Sequence, residues 1–275
     1  MRILHNIASM YASNALGQTS NAVTKNLQKL STGLRINSAS DDAAGLGVSE
    51  NLRAQINGTA QAKKNAQDGM SALTIADGAA NEITSILQRM RELAVQSSND
   101  TLTSTERGYT NTEVGQLSLE VDRISKVTNF NGQSLLDGAG FGAAASVLQI
   151  DAKAGGNNVM TVTIGKMDAT TLGVNGLTIN TQATASAAIT TIDTALNTVN
   201  SARATLGAYT NRLEHAINNL DSSNTNQQNA ESQIRDVDFA SETASFAKNQ
   251  ILTQSATAML AQANQLPQSV LTLLK

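Results

Sequence analysis

The sequence contains little of what a compact globular core normally uses. Its 275 residues include no cysteine, no tryptophan and a single proline, and aromatic residues make up 3% of the chain. Aromatic side chains usually supply much of the area that a core buries, so this core has to be built from aliphatic side chains and alanine. Because proline is nearly absent, long stretches can stay helical. These absences predict long helices packed side by side rather than a rounded globule.

The same absences exclude several classes of site. Without cysteine the chain can form neither a disulfide nor a thiolate metal site. A net charge of −3 with no basic patch argues against a nucleic-acid partner. No apolar run is long enough to span a membrane, and the N-terminus lacks the apolar stretch of a cleavable signal peptide. Composition alone therefore predicts a cytoplasmic protein with no membrane partner.

No catalytic motif is present. The two histidines, His5 and His215, are not part of an H-E-x-x-H pattern, and neither G-x-S-x-G nor a P-loop occurs. The adjacent Asp41 and Asp42 form either half of a divalent-metal site or the start of a helix, where the helix dipole favours carboxylates. We favour the helix start, because no third ligand lies at a fixed spacing. The sequence predicts no enzyme, no cofactor and no metal site.

Apolar residues recur at alternating steps of three and four along most of the chain, which is the spacing of a coiled-coil seam. One long track in the first half comprises Met70, Leu73, Ala76, Ala80, Ile83, Leu87, Met90 and Ala94. A second comprises Ile189, Ile192, Leu196, Val199, Leu206, Leu213, Ile217 and Leu220, with Arg203 and Thr210 as polar interruptions. Tracks near the two ends comprise Ile3, Ile7, Met10, Val23, Leu27, Leu30 and Leu34, and then Ile234, Val237, Ala240, Ala244, Ala247, Ile251 and Ala258. We expect each stripe to face a partner helix.

Local signals place the helix boundaries. Residues 45–98 predict one helix that is roughly 80 Å long, at about 1.5 Å per residue. Within it the glycines at 58, 69 and 78 each cost up to about 1 kcal/mol relative to alanine, so we expect close packing to compensate. A capping box formed by Thr103 and Glu106 predicts the start of the next helix.

The middle of the chain differs from its two ends. Asn131–Gly132 and Asp137–Gly138 are turn dipeptides. Short alternating or apolar runs at 147–150, 160–164 and 177–179 predict strands, with a loop or hairpin at Gly155–Asn158. The fold class is therefore mainly α: a long antiparallel coiled-coil or helical-bundle rod with a small β-rich insert of β-hairpins in the middle of the chain.

Several segments resemble bacterial flagellins, in the same order along the chain. In the first half these are Ser31–Asn37, Asp41–Leu46, Gln88–Gln96 and Phe130–Gly132. In the second half they are Leu206–Tyr209, Asn211–His215, Ala230–Asp238, Met259–Gln265 and Ser269–Leu271. No single segment is specific, but an ordered match over about residues 1–138 and 188–275 is.

The resemblance implies three domains. Residues 1–44 plus 235–275 would form a terminal coiled-coil domain in the filament core. Residues 45–130 plus 188–234 would form a helical rod domain, and residues 131–187 its small β-rich part. The large outer domains of longer flagellins are missing.

The resemblance also implies the function and the partners. The chain would be a structural subunit that polymerises into the flagellar filament for motility, with ends that order on assembly, and it would be exported by the flagellar type III apparatus to the extracellular filament. Implied partners are copies of itself, a flagellin export chaperone, hook-associated and cap proteins, and the flagellin-sensing Toll-like receptor of hosts. A hook–filament junction protein is the alternative, and an enzyme or adhesin in the insert is the third possibility.

Three groups of site residues follow from the resemblance. Receptor recognition is assigned to Gln88, Arg89, Leu93 and Glu113. For the protein's own purpose we favour helix packing for Leu93 and a solvated or subunit-facing charge for Arg89 and Glu113, and receptor recognition would exploit the same surface. Leu117 stands where a strongly recognised pattern has arginine. Contacts with the chaperone and the filament core are assigned to Phe239, Phe246, Ile251, Met259 and Leu260. The inter-domain connector is assigned to Arg35, Asp41 and Asp42.

Overall fold

A computed structural model describes the backbone of residues 6–142 and 145–273, and the side chains of these residues as far as residue 265. Ile3 and His5 lie outside the described residues. Within them, five α-helices are α1 (Ile7–Thr32), α2 (Ala43–Ser97), α3 (Ser104–Val127), α4 (Gln182–Arg235) and α5 (Phe239–Leu273). Four short strands are β1 (Asn129–Phe130), β2 (Gln133–Ser134), β3 (Ser146–Gln149) and β4 (Val159–Val162). The mainly α fold with a β-rich middle is confirmed.

The chain divides into two compact units. The terminal unit contains the described residues of 1–54 and 226–275, and the central unit contains 55–142 and 145–225. Helices α1 and α5 belong to the terminal unit, whereas α3 and all four strands belong to the central unit. The predicted boundaries at 44 and 235 lie nearer the ends of the chain than the boundaries of the two units, at 54 and 226. The assignment of the parts to filament core and rod stays a prediction.

A continuous aliphatic core holds α2, α3 and α4 together in the central unit. Both long periodic tracks that the sequence predicts are buried or half-buried there. The large side chains with no exposed area on these tracks are Leu73, Ile83, Leu87, Met90, Ile192, Val199 and Leu213, and Val114 and Val121 of α3 are equally buried. Arg203, a polar interruption of the α4 track, donates from its Nε to Asp77 Oδ1 on α2 at 2.9 Å. The polar residue in the stripe thus makes a cross-helix ion pair at the edge of the core.

Two antiparallel hairpins form the middle of the chain. β1 pairs with β2 through a turn in which Asn131 and Gly132 both have positive φ, 51° and 76°, as a two-residue hairpin turn requires. β3 pairs with β4, so the hairpin predicted around Gly155–Asn158 is confirmed. The strand predicted at 177–179 is wrong. The backbone N–H of Ile179 donates to Asn111 Oδ1 on α3 at 2.8 Å instead of to a neighbouring strand.

The predicted capping box at the start of α3 is confirmed. The Thr103 hydroxyl accepts from the backbone N–H of Glu106 at 3.4 Å, and a Glu106 carboxylate oxygen accepts from the backbone N–H of Thr103 at 2.7 Å. The backbone N–H of Thr103 and its hydroxyl, at 2.9 Å, both donate to the Glu106 carboxylate, and these two bonds hold the pKa of Glu106 below its ordinary value.

Three glycines of α2 meet different surroundings. A Cβ atom at Gly58 would lie 2.6 Å from the Cβ of Ala152, and one at Gly69 would lie 2.5 Å from a Leu148 methyl group. The polypeptide after β3 and the β3 side chain Leu148 can therefore approach the helix only because these residues lack side chains. Around Gly78 no atom lies within 4 Å of the added Cβ. Close packing explains the first two glycines and not the third.

Alanine substitution should therefore have opposite effects at Gly58 and Gly78. We expect Gly58→Ala to destabilise the monomer by about 1–3 kcal/mol through overpacking against Ala152. Gly78→Ala should stabilise it by about 0.5–1 kcal/mol, because alanine has the higher helix propensity. Urea unfolding followed by circular dichroism measures both values. A neutral or stabilising effect of Gly58→Ala would contradict the packing role of Gly58, and destabilisation by Gly78→Ala would contradict the open surroundings of Gly78.

Candidate assembly surface

Helices α1 and α5 pair in antiparallel orientation. The Asn6 amide donates to the carbonyl of Ala263 at 2.8 Å, close to the beginning of α1. At the other end of α1, the carbonyl of Gly33 accepts from the backbone N–H of Val237 at 3.0 Å. Gly33 ends α1 in the left-handed conformation, with φ of 72°, which glycine adopts without strain. The first residues of α1 therefore lie beside the last described side chains of α5.

The side chains along this pair are mainly short or polar. In both helices the less exposed residues recur at alternate steps of three and four, as in a coiled coil. On α1 they are Ser9, Ala12, Leu16, Thr19, Ala22, Val23, Asn26 and Leu30. On α5 they are Glu242, Phe246, Asn249, Thr253, Ala256, Leu260 and Ala263. We call these two sets the seam.

Much of the apolar stripe predicted at each end lies outside the seam, which corrects the sequence prediction. The predicted residues Ile7, Met10 and Leu27 of α1 and Ala244, Ala247, Ile251 and Ala258 of α5 are all exposed. The three-four period is correct, but the seam follows the row of short side chains, which lets the two backbones approach closely. The larger aliphatic side chains are left on the outward faces.

The outward faces of α1 and α5 are unusually apolar for a free surface. Their large exposed side chains are Ile7, Met10, Tyr11, Leu27, Phe239, Ile251, Leu252 and Met259. Single exposed apolar residues are normal on any protein, but a series of them on two paired helices marks an interaction surface. The larger apolar side chains of this helix pair are thus placed where other molecules can cover them.

The candidate chaperone and core contacts are divided between the two faces. Phe246 and Leu260 are half-buried in the seam. Ile251 and Met259 are 62% and 65% exposed, and Phe239 is also exposed. The structure therefore does not bring these five residues into one continuous patch while α1 and α5 are paired.

Backbone contacts hold the two connectors of the terminal unit to each other. The backbone N–H of Arg35 donates to the carbonyl of Arg235 at 2.7 Å, and its guanidinium donates to the carbonyl of Ile234 at 2.6 Å. Leu34 and Asp236 form an isolated antiparallel bridge. Arg35 thus binds the end of α4 through main-chain oxygens, and its assignment to an inter-domain connector stays a prediction.

Asp41 and Asp42 lie at the start of α2, as the helix-start interpretation predicts. One Asp42 carboxylate oxygen accepts from the backbone N–H of Gly45 at 2.9 Å, which is an N-cap contact. Asp41 accepts from the backbone N–H and hydroxyl of Ser38 and from the backbone N–H of Asn37, and these bonds lower the pKa of Asp41. Among the described residues no cluster of three or more His, Cys, Asp or Glu side chains could hold a metal ion.

An ion-pair cluster that sequence reasoning missed lies beside these connectors. Glu50 accepts from the Arg235 guanidinium at 2.6 Å and lies 3.7 Å from Arg53, which in turn lies 3.2 Å from Glu231. The Arg235 side chain is only 11% exposed. The spacing of Glu50 and Arg53 could have indicated their contact on one helix turn, but the partners on α4 are too distant in sequence for any local pattern.

The candidate receptor residues lie on α2 and α3 of the central unit. Arg89 donates to Glu113 at 2.9 Å and to Glu92 at 3.1 Å, and these two carboxylates, Glu113 foremost, raise the pKa of the Arg89 guanidinium. Gln88 is exposed, whereas Leu93 is 1% exposed in the aliphatic core. The structure therefore brings Arg89 and Glu113 together at the surface and places Leu93 beneath it.

These features define a class of protein. A stable helical central unit is joined to a terminal helix pair whose apolar side chains face outward, and such a chain is a subunit that associates with further copies. In the described residues no helix is both long enough and apolar enough to cross a membrane.

Comparison with known proteins identifies the family. Residues 3–140 match the family model described as the bacterial flagellin N-terminal helical region, and residues 189–274 match the corresponding C-terminal helical region. Flagellin of Halalkalibacterium halodurans is 47% identical and flagellin of Bacillus subtilis 45% identical, each over all of both chains. The crystal structure of Bacillus cereus flagellin, at 36% identity and a TM-score of 0.50, covers 57% of this chain and 88% of that one.

The chain belongs to the bacterial flagellin family. It is a structural subunit of the extracellular flagellar filament, in which flagellin associates with itself, and the cytoplasmic location expected from composition alone is wrong. Full-length relatives that are named flagellin do not favour the hook–filament junction alternative. Its short length fits a flagellin without large outer domains.

Proposed function

We propose that α1 and α5 become ordered as the inner layer of the filament when subunits polymerise, with their outward apolar faces covered by neighbouring copies. The observation that supports this proposal is the exposure of large apolar side chains on both helices, Ile251 and Met259 above all. In this proposal residues 1–44 plus 235–275 form the filament core. Residues 45–130 plus 188–234 form the rod, with 131–187 as its β-rich part.

The energetics of the helix pair favour ordering on assembly. Burial of apolar area stabilises by about 25 cal/mol per Å², and the short seam side chains bury little of it. Fixing the backbone of one residue costs about 1–2 kcal/mol, so a pair of this composition gains little from its own contacts. Neighbouring subunits would supply the missing burial by covering Ile7, Met10, Ile251 and Met259. The apolar faces that are exposed in the monomer are thus the same faces whose burial by neighbouring copies would order the two helices.

Polar substitution on the outward face of α5 should stop polymerisation without unfolding the central unit. We expect the double variant Ile251→Ser/Met259→Ser to elongate filament seeds at least about tenfold more slowly, since each buried aliphatic side chain contributes roughly 1.5–3 kcal/mol. Its thermal unfolding by circular dichroism should match that of the unsubstituted monomer. Val147→Ser, an equally exposed substitution in β3, is the matched control. Elongation of the double variant at the unsubstituted rate would refute the assembly role.

Limited proteolysis of the same preparations tests the ordering. In the monomer α1 and α5 should be cleaved much faster than α2 to α4, whereas in the filament they should resist. Equal resistance of both helices in monomer and filament would show that they are ordered before assembly.

Before export, the α5 side chains suit an amphipathic groove on a flagellin export chaperone. A chaperone that contacts Phe246 and Leu260 together with Ile251 must displace α1, because the first two residues lie in the seam. Pairing of α1 with α5 and chaperone binding would then be mutually exclusive. Hook-associated and cap proteins, which meet the two ends of the filament, would use the same surfaces as neighbouring copies.

Calorimetric titration with the cognate chaperone tests this competition. Phe246→Ser should lower the affinity because it removes a chaperone contact. Leu16→Ser on α1 should leave the affinity unchanged or raise it, because it weakens only the competing helix pair. Unchanged affinity for Phe246→Ser would restrict the chaperone site to the exposed face of α5.

We also propose that the Toll-like receptor of hosts recognises the exposed group formed by Gln88, Arg89 and Glu113. The buried Leu93 supports this group from below, because it fixes α2 in the core. Exposed ion pairs contribute only about 0–1 kcal/mol to stability, so the Arg89–Glu113 pair is better explained as part of a surface than as a structural necessity.

A matched pair of arginine substitutions tests the receptor proposal. Arg91 lies two residues from Arg89 on α2 and makes a similar exposed ion pair, with Asp193 at 2.6 Å. We expect Arg89→Ala to reduce receptor activation by monomer about tenfold, in keeping with the loss of one interface contact that contributes more than 1 kcal/mol. Arg91→Ala should change it little. Equal responses of the two variants in receptor reporter cells would count against the site.

A further inference from the structure

Asn26 is a buried polar residue in the seam. The residue is 9% exposed. With the amide oriented to satisfy both of its groups, Nδ2 donates to a Glu242 carboxylate oxygen at 3.0 Å, and Oδ1 accepts from the Asn249 amide at 3.1 Å and from the backbone N–H of Phe246 at 3.2 Å. Asn26 therefore bonds to three successive seam positions of α5.

The other polar residues in the middle of the seam make no comparable contact. The Thr19 hydroxyl donates to the carbonyls of Ala15 and Leu16 on its own helix, and the Thr253 hydroxyl donates to the carbonyl of Asn249 on its own helix. A threonine whose hydroxyl bonds within its own helix does not favour any particular residue on the opposite helix. Small side chains such as alanine likewise fit opposite one another in more than one alignment.

A shift of α5 by one heptad would preserve most of these small contacts. It would also displace the outward apolar faces by roughly 10 Å along the helix, at about 1.5 Å per residue. A shift would break the backbone bonds of Gly33 and Arg35 with 235–237, so these bonds also favour the native alignment, but they act only at the end of the pair next to the connector 33–42. Along the rest of the pair, a contact in the seam has to distinguish the native alignment from the shifted ones.

We propose that Asn26 fixes the register in which α1 and α5 pair and is thereby a specificity-determining residue for filament assembly. After a heptad shift in one direction Asn249 would take the place of Glu242 opposite Asn26, and Thr253 and Ala256 would take the places of Phe246 and Asn249. The carboxylate that accepts from Asn26 Nδ2, and the amide that donates to Asn26 Oδ1, would then be missing from their positions. A buried polar group without its partners is costly, and a single buried asparagine sets register in coiled coils at some expense of stability. This inference rests on the proposed pairing of the two helices in the filament.

Because the chain has no cysteine, engineered cysteine pairs can report the register in assembled filaments. The Ser9 hydroxyl donates to the Asn264 side chain at 2.8 Å, so S9C/N264C reports the native alignment. S9C/T257C and S9C/L271C report shifts of one heptad in either direction. With Asn26 present, only the first pair should form a disulfide under mild oxidation.

Replacement of Asn26 should release the shifted alignments. In N26L and in the less drastic N26T, we expect disulfides from the shifted pairs to rise by roughly tenfold, the change in an equilibrium constant that loss of one buried hydrogen-bonded group produces. T253L is the matched control, because it replaces a polar seam residue that makes no cross-helix bond, and it should retain the native disulfide alone. A variant that does not elongate seeds by itself is mixed as a minor fraction with unsubstituted subunits, and its disulfides are measured in the resulting filaments. We also expect that N26L and N26T could both be excluded from such filaments, whereas T253L is incorporated.

Two results would overturn the proposal. One is that N26L and N26T filaments give only the native S9C/N264C disulfide. The other is that T253L shifts register as much as they do. A different failure, in which S9C/N264C with Asn26 intact forms filaments but no disulfide, would refute the pairing of α1 with α5 in the filament and not the role of Asn26 alone.

Discussion

Close approach of α1 and α5 through short side chains is the constraint on which the terminal unit depends. Alanine, serine and threonine in the seam allow the two helices to pack, but they leave Ile7, Met10, Ile251 and Met259 on the outward faces. A pair of this kind is incomplete alone, because these larger side chains are not covered by any of the described residues. The seam buries little apolar surface area, and self-association in the filament is consistent with this shortage.

In the central unit a larger share of the aliphatic residues is buried. Most of those on α2, α3 and α4 lie in one core, although Ile75, Val95, Leu119 and Val127 are exposed, and Arg203 with Asp77 lies at the edge of that core. The β3–β4 hairpin approaches α2 at Gly58 and Gly69, where an added Cβ would lie within 3 Å of Ala152 or Leu148. One chain thus combines a unit with a large aliphatic core with a helix pair that buries little apolar area.

The sequence predicts this division in part. The periodic tracks of α2 and α4 and the Thr103–Glu106 capping box could be read locally, because heptad spacing and caps involve residues close in sequence. The phase of the terminal stripes could not, because period alone does not show whether a helix turns its large or its small residues toward its partner. The bonds of Asn26 to α5 and of Glu50 to Arg235 join residues far apart in sequence, so only the folded pair reveals them. Residues 177–179 fit a strand pattern but form irregular chain, in which Ile179 is buried in the core and its backbone N–H bonds to Asn111.

The two connectors of the terminal unit differ in length. Residues 33–42 join α1 to α2, whereas only 236–238 join α4 to α5. The short link continues almost directly from one helix into the next, and Asp238 caps α5 through the backbone N–H of Ala240 at 3.0 Å. The longer connector is nevertheless held at its start, because Gly33 and Arg35 bond to Val237 and Arg235 through their backbones. Its additional length, residues 36–42, lies beyond these bonds, so that segment can change conformation without separating α1 from α5.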